Sequence, residues 1–255
     1  MTIFKNACIL LFLFLIVFFA AITSKAENGK FEQAKEYLDD GIHTYNEQLL
    51  HDAGKILLKL VKENPSDHIY VHYVALTYLG LCDLKNFEIA KCSVMKEKKA
   101  LKAKRVAIAE EGILYADKSI VLKNDFSDSH RVKGALISNR ISGMFSGMRN
   151  GSLAEKEIDI ALQLDNKNAI AHIENARKFI NKPGLLGGDI KKGVEILNTV
   201  IKDNPGLEIA YVNLGIAYEK NGEEEKAINT FKRLLEINPD NPEARFFLDR
   251  LMLSK

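Results

Sequence analysis

The sequence predicts an all-α solenoid of about five antiparallel helix pairs, closed by a C-terminal helix. Three observations carry that expectation. The composition, 47% hydrophobic and 27% charged over 255 residues, is that of a globular chain rather than a disordered one. The segment 208–241 reads as two amphipathic helices joined at Asn221-Gly222 and stopped by Pro239. The frame of that segment then recurs five times along the chain.

Residues 1–26 stand apart from the repeats. Lys5 supplies a positive start, 8–21 is an unbroken apolar run, and Ser24-Lys25-Ala26 places small residues where an export cleavage site needs them. The run is shorter than the ~20 apolar residues that span a bilayer. The expectation is a signal peptide cleaved near Ala26, giving an exported, periplasmic or secreted protein; an uncleaved membrane anchor is the other reading. Cys8 lies too early for lipidation. Lys5 and Lys25 are the only charges of this segment, so without it the 36 bases fall to the number of the 34 acids. The formal charge of +2 therefore belongs to the leader, and the neutral remainder gives no electrostatic case for nucleic acid.

Residues 27–255 divide into five units and a cap. Each unit carries a small residue in its first helix and another in its second, followed by a terminator. In the first unit, 34–67, these are Gly41, Ala53 and Pro65. In the second, 68–124, they are Ala75, Gly112 and Asn124. An insertion at 83–105 separates the two helices there, with Lys85, Lys91, Lys96, Lys98, Lys99, Lys102, Lys104 and Arg105 against Asp83, Glu88 and Glu97. It holds neither proline nor glycine, which predicts an extended helix or a separate one. The third unit, 125–167, has Gly134, Ala154 and Asn166, with a glycine-rich junction at 146–151 and Ser152 and Glu155 as a capping box for its second helix. The fourth, 168–205, has Ala176, Gly193 and Pro205; Gly187-Gly188 supplies the inter-helix turn and Asp189 the N-cap. The fifth, 208–241, has Gly215, Ala227 and Pro239. Small residues at all ten slots make sense if paired helices cross closely there, with Thr44, Tyr78, Ile137, Phe179 and Tyr218 beside the crossings. Residues 242–253, with Pro242 in the first turn and Arg245 and Arg250 on the polar side, suit a cap for the last apolar face.

Leu214, Gly215, Tyr218, Ala227, Phe231 and Pro239 fall on signature positions, and through them the chain resembles the tetratricopeptide-repeat family over about 34–241. The 183–189 junction is similar to that of exported bacterial repeat proteins of unassigned function. The resemblance implies a right-handed superhelix whose concave face binds a protein or peptide, with no catalytic chemistry, metal or cofactor of its own. The family's carboxylate clamp is not matched: only Asn213 sits at a clamp-type position, with Val132 and Glu174 in the equivalent slots of units three and four. By repeat position, exposed residues lining the groove are Arg131 and Ala135 in unit three and Val212, Asn213, Ile216 and Glu219 in unit five. The expected function is an exported interaction scaffold that binds a partner in this groove. A second reading is an accessory component of a periplasmic transport or solute- or lipid-binding system. The oligomeric state stays open.

Other constellations are weaker. His68 and His72 have the i, i+4 spacing of a metal pair, but no glutamate or third ligand completes a site, and helix-face histidines explain them. The glycines of 143–151 lack the Gly-Lys-Ser/Thr of a phosphate loop. No nucleophile elbow is present, so the chain does not read as an enzyme. Cys82 and Cys92 can form a disulfide only if the chain turns near 83–86, because one straight helix holds them ~15 Å apart; the plainer expectation is two free buried thiols. The lysine-rich insertion reads as a solvated arm, or as a contact for a partner or an anionic membrane.

Overall fold

A computed structural model describes residues 27–253; the expected signal peptide at 1–26 lies outside them. Among the described residues the chain forms α-helices with no strand. They are α1 (27–44), α2 (Glu47–Glu63), α3 (His68–Lys91), α4 (Met95–Leu122), α5 (Ser127–Asn139), α6 (Met144–Leu164), α7 (Ala169–Asn181), α8 (Ile190–Asp203), α9 (Glu208–Lys220), α10 (Glu224–Ile237) and α11 (Pro242–Leu253). Odd and even helices alternate as antiparallel pairs, each pair packing on the next.

The junctions between pairs repeat one local solution. The backbone N–H of Asp67, Asn168, Leu207 and Asn241 donates to the carbonyl three residues earlier, at Asn64, Asp165, Asn204 and Asn238. Where the turn ends in Asp67, Asn168 or Asn241, that side chain accepts from the first-turn N–H groups of the next helix. Asp189 caps α8 in the same way through Lys192 N–H, and Gly187 provides the left-handed residue before it at φ 90°.

The ten small slots are where the paired helices meet. Ala53, Ala75, Ala176 and Ala227 are fully buried, and Ala154 nearly so. A methyl group built on the glycines would collide: 2.9 Å from Leu50 at Gly41, 2.7 Å from Tyr78 at Gly112, 2.7 Å from Ile158 at Gly134, 2.5 Å from Ile180 at Gly193, and closer still to the Phe231 ring at Gly215. The cap also forms. Ala244, Phe247 and Leu251 bury against the last pair, and the Phe247 ring stacks on Phe231 at 5.4 Å.

Two open readings are decided and one expectation is corrected. Of the two forms expected for 83–105, the extended helix is the one found: α3 and α4 absorb the segment as added length, joined by a short turn at 92–94, because alanine, leucine and lysine continue a helix readily. Helix therefore runs unbroken through 83–86, and Cys82 and Cys92 are free thiols that cannot reach each other along it. The 146–151 segment is likewise helical. α6 starts at Met144, where Ser146 Oγ accepts from Gly143 N–H at 2.9 Å, so Ser146 caps the helix and Ser152 lies within it.

Candidate functional site

The odd-numbered helices line the inner, concave side of the array, and the extra length of α3 runs across it. Phe87 meets Tyr45 of the α1–α2 turn at 4.6 Å between ring centroids and Phe246 of α11 at 5.7 Å, edge to face. Ala90 packs against the cluster of Tyr211, Val212, Phe231 and Phe247. The second half of α3 thus bridges the first pair to the last. The base of this bridge is pinned: Arg105 donates to Asn86 at 2.7 Å and to the Ile141 carbonyl at 2.6 Å, and Asn86 donates to Asn139 at 2.9 Å.

Charges converge beneath the bridge. Asp83 faces Arg177 and Arg131, with Glu174 beside them. Arg177 donates to Asn213 Oδ1 at 2.7 Å and to Glu174 Oε1 at 2.9 Å, while Asn213 Nδ2 holds the Ile209 carbonyl at 2.7 Å. Arg131 forks onto Asp128, which also accepts from His72 Nε2 at 3.0 Å. Glu243 of α11 faces the Tyr45 hydroxyl. Burial pushes the Asp83 carboxyl up to about 6, against the pull of Arg177. Burial pushes Glu243 up to about 7, and the Asp83 charge adds to that. Asp128 is held well below the carboxylate range: burial acts in the opposite direction, and Arg131 and the His72 hydrogen bond outweigh it. Burial lowers His72, consistent with a neutral imidazole donating through Nε2 and accepting from Ser129 at Nδ1, 3.1 Å away.

This arrangement relocates the expected groove residues. Arg131, Ala135, Val212 and Asn213 are buried rather than exposed, because the long α3, the Asp128 and Arg177 side chains and α11 cover them. Ile216 is half-buried, and Glu219 is paired with Arg250 of α11. Sequence reasoning missed Tyr45, Asp83, Phe87, Arg177, Glu243 and Phe246. One signal was present: Leu81, Leu84 and Phe87 keep to helical spacing and continue the apolar face of α3 into the insertion. The two candidate histidines separate in role. His72 is committed to Asp128 and Ser129, while His68 lies edge-on to Phe126 at 5.3 Å. No group of three potential ligands gathers among the described residues. No described helix is long and apolar enough to cross a membrane.

Comparison with known proteins agrees with this architecture. The tetratricopeptide-repeat family model matches residues 209–241. No curated protein matches the chain in sequence. Among solved structures, a thermophilic TPR protein of Thermus thermophilus is similar at 15% identity and a TM-score of 0.64, covering 86% of this chain and 99% of its own. YrrB, described as a TPR protein with an unusual peptide-binding site, gives 16% identity and 0.41, covering 88% and 95%. A MamA protein gives 18% and 0.42, covering 82% and 93%. At these identities the likeness concerns the fold.

Proposed function

Since the chain is a tetratricopeptide-repeat protein, we propose that it is an exported scaffold that binds a protein or peptide segment on its inner face and does no chemistry itself. The observation that supports this reading is the second half of α3. The inner face already holds a helix, seating its Phe87 between aromatic rings and its Asp83 between two arginines. A partner helix presenting an acid and an aromatic four residues apart offers the same chemistry. α11 is the element that covers the rest of this face, through Phe246, Glu243 and the Arg250–Glu219 pair.

Affinity capture from native envelope extract tests the reading with three forms of the chain. Phe246→Ala loosens α11 and is expected to raise the yield of a captured protein. Adding Arg177→Gln is expected to remove that gain, because it deletes the cation beside Asp83. A co-purified small molecule with no protein partner would instead favour the solute-binding role, and equal yields from all three forms would refute inner-face binding.

A further inference from the structure

The turns within each helix pair lie on one edge of the array and the turns between pairs on the other, because successive helices are antiparallel. The within-pair edge carries an unusual set of side chains. Met95 opens α4; Met144, Phe145 and Met148 open α6; Leu185 and Leu186 form the α7–α8 turn. All six are exposed, Phe145 at 88% and Leu185 fully. On the other edge Val121 is as exposed, at 84%, but it stands alone: Leu122, Leu164 and Ile237 at the ends of α4, α6 and α10 are only about half as exposed, at 38–42%.

The α4 part of this edge is basic. Beyond the Arg105–Ile141 contact, the first ten residues of α4 extend the α3–α4 hairpin by ~15 Å. This stretch contains Lys96, Lys98, Lys99, Lys102 and Lys104 against Glu97 alone. None of these five lysines makes an ion pair among the described residues, so all five charges stay available to an outside anion. Unpaired lysines fringing protruding Met, Phe and Leu side chains match a surface that is anionic outside and apolar just beneath. A folded partner would need a pocket for each of three separated protrusions, whereas a bilayer receives them at any spacing.

We infer that the within-pair edge is a docking surface for anionic phospholipid membrane, with Phe145 and its neighbours entering the interface and the α4 lysines meeting the headgroups. This surface is distinct from the inner face, so one can fail without the other.

The chain contains no tryptophan, so Phe145→Trp makes a single reporter at the edge, and it is insensitive to what residues 1–26 do. With vesicles containing phosphatidylglycerol its emission is expected to shift to the blue. Phosphatidylcholine vesicles are expected to leave it unchanged, as is moving the reporter to exposed Leu114, away from the edge. Neutralising three lysines (K96Q, K98Q, K99Q) is expected to weaken the response about 100-fold, at roughly fivefold per charge. These positions are exposed, and circular dichroism checks that the fold is kept. No shift on anionic vesicles, an equal shift on neutral ones, or an unchanged response in the lysine variant would overturn the inference. So would variants that lose a captured protein while vesicle binding persists.

Discussion

Gly215→Ala is the sharpest test of the packing described above. In a solvated helix this change stabilises by about 1 kcal/mol, because alanine loses less backbone freedom on folding. At Gly215 the new methyl would lie 2.5 Å from Cε1 of Phe231 and closer still to its Cζ. That ring is fully buried and stacked on Phe247, so moving it disturbs the packing of the cap. Overpacking a site of this kind costs about 3 kcal/mol at the upper end, leaving a net loss of about 2 kcal/mol. For a chain of this size that lowers Tm by about 4–8 °C. Gly151→Ala is the matched control: it sits inside α6 with nothing within 4 Å of the added methyl, so it is expected to gain about 1 kcal/mol. Scanning calorimetry on both variants gives the answer. A Tm for Gly215→Ala at or above that of the parent would refute the close crossing of α9 and α10.

Further outcomes follow from the inner face and the cap. Asp83 and Glu243 both have folded-state values above their ordinary ones, so the stability they contribute is fully present below about pH 4 and is lost as pH rises through about 6 and 7. Their share of the Tm profile therefore falls between about pH 4 and pH 7, while buried His72, whose lowered value makes stability rise with pH, opposes it. Glu243→Gln is expected to raise Tm at pH 7 relative to that at pH 4, and an unchanged profile in the variant would exclude Glu243 as a source. Deleting 242–253 bares Phe231 and the outer edge of Phe87, so the truncated chain is expected to aggregate, and a monomer on size exclusion would count against the capping role. Burial raises the Cys82 thiol far above its usual range, so in the native state an alkylating reagent is expected to label Cys92 and spare Cys82; peptide mass spectrometry showing equal labelling would contradict that burial.

What the sequence revealed was local. The ten small slots, the Asp189 cap and the Gly187 turn are each determined within one helix pair, so their spacing is visible along the chain. Glycines at 147 and 151 misled because glycine usually breaks a helix, whereas here α6 is held from its start by Ser146 on Gly143. The closed inner face was hidden for a different reason. Asp83 and Arg177 are 94 positions apart, and Phe87 and Phe246 are further apart still, so nothing in one repeat announces their meeting. The lysines of 85–104 dominated the composition of the insertion and masked the apolar face that carries α3 onward. Assigning groove residues by repeat position assumed an empty groove. In the folded chain Arg131 and Val212 are buried beneath side chains from other repeats.

The central claim is that α3 crosses the inner face and closes on α11. A double-mutant cycle with Phe87→Ala and Phe246→Ala, read by denaturant unfolding, measures that contact alone. Two rings 5.7 Å apart and edge to face should give a coupling of about 1 kcal/mol. Strictly additive effects, with no coupling, would mean that the two helices do not meet and that the inner face stands open.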